Sequence, residues 1–245
     1  MTTETVTAPA EQDTLGPHRH DDVCVIVPMY NEAVVIGDVV RELSKTFSRV
    51  VCVDDGSKDD TARLASQAGA TVVHHPVNLG QGAALQTGVD YALQSGARYF
   101  LTFDADGQHR IEDAVAMIER LREGDLDIVL GSRFLGTELQ VPRLRKAVLR
   151  AAVVFTRATT GLALTDTHNG LRVMNRSTAV LFKIRLCGMA HASEILDIVA
   201  RHKLAYEEMP ISVVYSDYSR GKGQSSINAI NVLVDLVLAR LRVIR

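Results

Sequence analysis

Apolar stretches alternate with amphipathic stretches along the chain from residue 23 onward. The apolar stretches suit strands buried on both faces, and they read VCVIVP, RVVCVDDGS, ATVVHH, RYFLTFDAD and DIVLGSR. Between them apolar residues recur at helical spacing over residues 33–47, 57–68, 82–96 and 111–124. Ser57 with Asp60 resembles a capping box that would open the second of these helices. This alternation predicts an α/β fold with a mixed, mainly parallel sheet that helices cover on both faces.

Chemically distinctive residues follow four of the predicted strands. They are Pro28, Tyr30, Asn31 and Glu32 after the first strand, Asp54 and Asp55 after the second, Asp104 and Asp106 after the fourth, and Gly131, Ser132 and Arg133 after the fifth. In open α/β sheets, ligands bind in the crevice beyond the carboxyl ends of the strands. The sequence therefore predicts a ligand site with several carboxylates and an arginine at this edge of the sheet.

The stretch DADGQH places two carboxylates at the end of a strand. Asp104 and Asp106 can turn toward one cation, and Gln108 could supply another oxygen. Such oxygens suit a hard ion such as Mg²⁺ or Mn²⁺. We interpret His109 as a supporting residue rather than a ligand. The alternative is a plain surface turn, because Asp and Gly are common turn residues.

Two other loops offer weaker signals. A carboxylate at Asp54 could accept hydrogen bonds from a nucleobase or a ribose, whereas Asp55 would belong to a turn and Ser57 would cap a helix. Gly80 and Gly82 precede a helix, where backbone N–H groups can meet an anion. That loop matches neither a Walker motif nor the dinucleotide fingerprint, so it is weak evidence for phosphate binding.

Composition narrows the classes of function. The chain has 245 residues and a net charge of −2, which argues against a nucleic-acid partner. The three cysteines show no metal-binding spacing, which favours a reduced, cytoplasmic protein. Residues 1–22 lack the pattern of a signal peptide and are interpreted as a disordered tail. No apolar run is long enough to predict a spanning helix.

Six motifs taken together are far more specific than any one of them. In chain order they read VIVPMYNE, VVCVDDGSKDDT, NLGQGAALQTG, FDADGQH, LGSRF and THNGLRVMNR. This series closely resembles the inverting family 2 glycosyltransferases with the GT-A fold. Within them it is most similar to the dolichol-phosphate mannose synthase and polyprenyl-phosphate glycosyltransferase branch. The resemblance implies a hexosyltransferase with a nucleotide-diphospho-sugar donor.

The resemblance also implies roles for single residues. Donor binding falls to Pro28, Tyr30, Glu32, Asp54, Gly82, Asp104 and Ala105. The Mg²⁺ or Mn²⁺ positions are Asp104, Asp106 and Gln108. Binding of the acceptor and of phosphates falls to Arg133, Arg172, Arg220, Lys222 and Ser225. The residues expected to be catalytic are Asp106, Arg133 and Glu194.

The class of acceptor decides whether a general base is needed. A phosphate monoester has a second pKa of about 6, so it is a dianion near neutral pH and needs cations rather than a base. Glu194 would then orient its neighbours. A hydroxyl acceptor would require a base, and Glu194 would be the candidate. Arg220 and Lys222 lie in a Gly-containing stretch that is either a plain surface loop or a loop that closes over the phosphates.

Two stretches bear on a membrane-bound acceptor. Residues 142–164 interleave basic and aliphatic side chains, which is typical of an interfacial helix and also of a core helix with a basic outer face. Residues 225–245 predict an amphipathic helix that lies on a bilayer, packs on the core or docks a partner.

These observations lead to one expectation and two alternatives. We expect a GT-A domain over residues 23–224 that transfers a sugar, with inversion, from a UDP- or GDP-sugar to polyprenyl phosphate. It would act peripherally at the cytoplasmic face of the membrane, and a small membrane protein is a candidate partner. The alternatives are the same fold acting on a glycan or small hydroxyl acceptor, and a non-catalytic nucleotide-sugar-binding subunit of a membrane complex.

Overall fold

The computed structural model describes residues 20–135, 153–154, 156–186 and 190–214. The strands are β1 Val23–Met29, β2 Arg49–Asp54, β3 Thr71–His74, β4 Tyr99–Thr102, β5 Ile128–Ser132, β6 Arg172–Asn175 and β7 Tyr206–Pro210. The helices are α1 Ile36–Thr46, α2 Thr61–Gln67, α3 Gln81–Ala92, α4 Ile111–Arg122, α5 Arg176–Leu181 and α6 His191–Arg201. The predicted tail, the predicted helix at 225–245 and most of the basic stretch at 142–164 lie outside the described residues.

The seven strands that the described residues form lie in one sheet, in the order β3-β2-β1-β4-β6-β5-β7. Strand β6 runs antiparallel to its neighbours β4 and β5, whereas the other pairings are parallel. The prediction of a mixed, mainly parallel sheet is therefore confirmed. Because β5 is parallel to β4, the carboxyl ends of β1, β2, β4 and β5 meet at one edge of the sheet.

Strand β1 is buried along its whole length because helices cover both faces of the sheet. Val23, Val25 and Val27 pack on the face covered by α1, α2 and α4. Cys24 and Ile26 point to the opposite face, where α3, α5 and α6 complete a second apolar cluster. Burial on both sides explains why the strand reads as a continuous apolar run.

The predicted capping box of the second helix is wrong. Helix α2 begins at Thr61, and its N-cap residue Asp60 makes no side-chain capping bond. Ser57 Oγ instead accepts the backbone N–H of Asn31 at 2.9 Å. This hydroxyl joins the loop after β1 to the loop after β2.

Among the described residues, no helix combines the length and the apolar character needed to cross a membrane.

Candidate active site

The loops that follow β1 and β2 are tied together by side chain to backbone hydrogen bonds. Lys58 N–H donates to Asn31 Oδ1 at 2.8 Å, and Glu32 N–H donates to Thr61 Oγ1 at 2.7 Å. Asn31 adopts a left-handed backbone with φ of 53°, which asparagine tolerates better than most residues. These contacts fix the loop that carries Tyr30 and Glu32 at the mouth of the crevice.

Asp54 forms the floor of the crevice at the end of β2, where its side chain is almost fully buried. Its Oδ1 accepts the backbone N–H of Ser57 at 3.2 Å, and its Oδ2 lies 3.5 Å from His74 Nδ1. Tyr30 is 40% exposed at the rim, and Pro28 is buried within β1. The crevice thus combines a buried carboxylate that can accept hydrogen bonds with an exposed aromatic ring at its rim.

Asp104 lies just beyond β4 and is held from several sides. His109 Nε2 donates to its Oδ2 at 2.9 Å, and Gln81 Nε2 donates to its Oδ1 at 3.4 Å. A Cβ at Gly170 would lie 2.2 Å from Asp104 Oδ2, so glycine is needed there. The carbonyl of Gly170 in turn accepts Thr102 Oγ1 at 2.6 Å. The expectation that His109 supports the carboxylate agrees with this contact.

The two carboxylates of DADGQH have opposite electrostatic environments. Burial raises the pKa of Asp104, but the hydrogen bond and charge of His109, with the charge of Arg172, hold it below its ordinary value. Burial and the nearby charge of Asp104 raise the pKa of Asp106. Asp106 Oδ1 accepts the backbone N–H of Gln108 at 3.0 Å. A cation between the two carboxylates would offset the repulsion that raises the Asp106 pKa.

The protein oxygens available here suit a divalent cation whose remaining ligands come from a substrate and water. The described residues contain no cluster of three or more His, Cys, Asp or Glu side chains able to hold a metal. Asp104 and Asp106, with an oxygen from Gln108, match the way in which Mg²⁺ uses few carboxylates and completes its shell with phosphates and water. Ala105, between the two carboxylates, is buried.

Two basic side chains, Arg172 and His168, interact electrostatically with Asp166, and Arg172 also interacts with Asp104. Arg172, at the start of β6, is 3% exposed, and its Nη1 has no hydrogen-bond partner among the described residues. Burial lowers its pKa to about 10, while the charges of Asp104 and Asp166 oppose that shift. Burial also lowers the pKa of His168 to about 4, so this ring is neutral at pH 7. In this structure the charge of the Arg172 guanidinium acts on Asp104. Direct contact between Arg172 and a phosphate stays a prediction.

Arg133 is paired with a carboxylate that the sequence analysis missed. Its Nε donates to Asp166 Oδ2 at 2.7 Å and its Nη2 donates to Asp166 Oδ1 at 2.9 Å. Glu208, on β7, accepts the backbone N–H groups of Thr165 and Asp166 at 2.7 and 3.0 Å. Asp166 directly precedes the THNGLR motif, but no spacing rule links it to Arg133. The guanidinium is fixed at the crevice with its side chain 17% exposed.

The sequence profile of Glycosyl transferase family 2 matches residues 24–179. The chain belongs to this family. It is 29% identical to a UDP-N-acetylglucosamine–dolichyl-phosphate N-acetylglucosaminyltransferase of Methanococcus voltae, over 89% of this chain and 96% of that protein. It is 30% identical to an undecaprenyl-phosphate mannosyltransferase of Micrococcus luteus, over 84% of this chain and 88% of that protein.

The fold matches a solved glycosyltransferase. Glucosyl-3-phosphoglycerate synthase from Mycobacterium tuberculosis, crystallised with Mn²⁺, UDP-glucose and phosphoglyceric acid, superposes with a TM-score of 0.61 at 19% identity. The match covers 87% of this chain and 79% of that chain. The protein is thus a GT-A glycosyltransferase of the branch similar to dolichol-phosphate mannose synthase.

Within this family 2 glycosyltransferase, Glu194 is engaged by backbone groups. Its Oε2 accepts the N–H groups of Arg185 and Leu186, both at 2.8 Å. Gly82, in the first turn of α3, packs against the same segment, since a Cβ there would lie 2.1 Å from Leu186 O. This geometry favours an orienting role for Glu194. A nucleotide-binding role for Gly82 and proton abstraction by Glu194 stay predictions.

The remaining acceptor residues, Arg220, Lys222 and Ser225, lie outside the described residues. The described chain approaches DADGQH just before them. Val213 forms an isolated antiparallel bridge with His109, and Val214 N–H donates to Gln108 O at 2.9 Å. Arg220 therefore follows, in the sequence, a segment that borders the stretch with the two carboxylates.

Proposed function

We propose that this glycosyltransferase moves a hexose, with inversion, from a UDP- or GDP-sugar to polyprenyl phosphate, with Mg²⁺ or Mn²⁺ as cofactor. One arrangement carries the proposal. Asp54 ends β2, the Asp104–Asp106 pair follows β4 and Arg133 follows β5, all along one edge of the sheet. Their order matches a ligand with a base at one end, a diphosphate in the middle and an anionic acceptor at the other end.

The donor base would lie at the Asp54 end. Uracil and guanine both present ring N–H groups that can donate hydrogen bonds to the Asp54 carboxylate. The exposed ring of Tyr30 offers a face on which either base can stack. These features support a UDP- or GDP-sugar without selecting between them.

The leaving diphosphate would lie over Asp104 and Asp106. A divalent cation held there supplies charge neutralisation for the departing diphosphate. His109 and Arg172 keep Asp104 ionised, and Gly170 leaves the space its carboxylate needs. The contribution of the chain is a carboxylate pair positioned before the substrate binds.

The class of acceptor is proposed from the two carboxylates that could serve as a general base, because both already have hydrogen-bond partners. Glu194 accepts two backbone N–H groups, and Asp166 is paired with Arg133. A phosphate dianion needs no base, whereas a hydroxyl does. The names of the relatives from Methanococcus voltae and Micrococcus luteus, a dolichyl-phosphate and an undecaprenyl-phosphate transferase, support the same class of acceptor. Arg220, Lys222 and Ser225 are proposed to bind its phosphate.

A lipid acceptor implies peripheral attachment to the cytoplasmic face of a membrane. We assign this attachment to residues 142–164 and 225–245, with a small membrane protein as a candidate partner. Basic residues near an anionic surface contribute about 1 kcal/mol each and are screened by salt. Sedimentation with anionic vesicles should fall as salt rises, and an absence of binding at low salt contradicts the attachment.

The transfer itself is tested with purified protein, radiolabelled UDP- and GDP-sugars and a short-chain polyprenyl phosphate. We expect label to enter the organic phase with one donor class and to stay in water when EDTA is present. Asp106→Asn is the matched inactive variant. No transfer from any UDP- or GDP-sugar, or full activity in EDTA, contradicts the proposal.

A further inference from the structure

Asp55 is as buried as Asp54, but its carboxylate is fully engaged by a neighbouring loop. Oδ1 accepts the backbone N–H of Leu79 at 2.9 Å, and Oδ2 accepts that of Gly80 at 2.7 Å. Oδ1 also accepts His75 Nδ1 at 2.8 Å. Three donors from residues 75–80 converge on one side chain that is 3% exposed.

His75 extends the arrangement to helix α3. A carboxylate only accepts hydrogen bonds, so Nδ1 carries the proton, and Nε2 pairs with Thr87 Oγ1 at 2.9 Å. The His75 side chain is 9% exposed. The chain Asp55–His75–Thr87 thus links the end of β2, the loop after β3 and the body of α3 through polar groups that are buried or partly buried. We name these three residues the loop clasp.

The loop held by the clasp borders the proposed donor site on two sides. A Cβ at Gly56 would lie 2.7 Å from the carbonyl carbon of Val77, so the loop lies directly on the DDGS turn. Val77 and Leu79 nevertheless remain 59% and 45% exposed. At its far end the loop leads into Gln81, whose Nε2 contacts Asp104. The loop therefore connects the apolar rim of Val77 and Leu79, beside the DDGS turn, with the carboxylate pair.

We infer that Asp55 is a positioning residue for the donor nucleotide, acting through the loop clasp on the loop of residues 75–80. The inference rests on the proposed function, since it assumes that a nucleotide occupies the crevice. Asp55 itself would not touch the base. It fixes the apolar rim formed by Val77 and Leu79, against which the base packs. Loss of the clasp would loosen this rim and weaken nucleotide binding more than it slows the chemical step.

The test compares clasp variants by calorimetric binding of UDP and GDP in the presence of Mn²⁺. His75→Ala removes the bond to Asp55, whereas His75→Asn keeps a donor near the Nδ1 position. Loss of a hydrogen bond to a charged group should weaken binding by about tenfold or more in His75→Ala, and His75→Asn should recover most of it. Thr87→Val should fall between them. Thr71→Val, at the exposed start of β3, is the matched control and should bind like wild type.

Steady-state kinetics and melting temperature separate positioning from plain stability. We expect His75→Ala to raise KM for the donor while kcat changes less than threefold and KM for the acceptor stays constant. A variant that melts lower but binds nucleotide like wild type overturns the inference, because the clasp then only stabilises the fold. If the wild-type protein binds neither UDP nor GDP, the proposed function fails at its first step. Wild-type binding with an unchanged His75→Ala affinity defeats the inference alone.

Discussion

The Gly170→Ala substitution tests whether activity depends on the exact position of the Asp104 carboxylate. A Cβ at this position would lie 2.2 Å from Oδ2, 2.4 Å from Oδ1 and 2.5 Å from Cγ of Asp104. Carbon and oxygen atoms at rest stay about 3.5 Å apart, so the two groups must separate by about 1 Å. All three carboxyl atoms lie within the overlap, so rotation of the carboxylate alone cannot relieve it.

Neither side of the contact can yield easily. The Gly170 carbonyl is bonded to Thr102, and Arg172 two residues later pairs with Thr102 in the sheet. Asp104 is held by His109 and Gln81. Overpacking of this kind costs about 1–3 kcal/mol of unfolding free energy, and a catalytic group displaced by 1 Å can lose about 100-fold in rate.

The assay measures Mn²⁺-dependent binding of UDP and GDP, turnover and the free energy of unfolding for the same preparations. Gly37→Ala is the control, because its Cβ, in the first turn of α1, would make an ordinary contact of 3.4 Å with the Arg41 side chain. It should leave activity unchanged and stabilise the helix by up to about 1 kcal/mol. If Gly170→Ala binds nucleotide and turns over like wild type, the argument that activity requires this position of the Asp104 carboxylate is refuted.

Three further predictions follow from the same site. Asp106→Asn should abolish Mn²⁺-dependent nucleotide binding without lowering the melting temperature of the metal-free protein, because it removes a carboxylate that Asp104 repels; a large drop in melting temperature contradicts this. Glu194→Gln should stay within a few-fold of wild-type transfer, since its amide oxygen can still accept both backbone N–H groups, whereas a complete loss would indicate a base. Burial raises the pKa of Asp166, but Arg133 holds it below its ordinary value of about 3.9. The stability that this pair adds is therefore complete above that value and is lost as the pH falls through the lowered pKa of the folded state. The free energies of unfolding of wild type and Asp166→Asn should thus differ at pH 7 and converge in acid. A difference that does not depend on pH contradicts the pairing.

The first five strands and the first four helices could be predicted because buried parallel strands read as apolar runs and α1 repeats its apolar residues at helical spacing. The antiparallel strand β6 could not. It has four residues, RVMN, and one of them is the buried arginine Arg172. A charged residue at the start of so short a strand breaks the apolar pattern. The arginine is there for a tertiary reason, because it lies close to Asp104 and Asp166.

The candidate site was predictable where the chemistry is local and not where it is long-range. DADGQH indicated its carboxylate pair because two aspartates stand at the end of one strand. The predicted capping box at Ser57 was wrong because its hydroxyl accepts a hydrogen bond from Asn31, 26 residues away, and does not cap the helix that follows it. Asp55 and Asp166 gave no sequence signal of their partners for the same reason, since Gly80 and Arg133 reach them only in the folded chain.

The most direct test of the central claim compares two acceptors that differ only in the phosphate. Purified protein receives a radiolabelled donor with Mn²⁺ and either a short-chain polyprenyl phosphate or the corresponding free polyprenol, and the initial rate of lipid labelling is measured for each. The account predicts transfer to the phosphate and little to the alcohol, with Glu194→Gln preserving that preference. Efficient transfer to the free alcohol, abolished by Glu194→Gln, would contradict it.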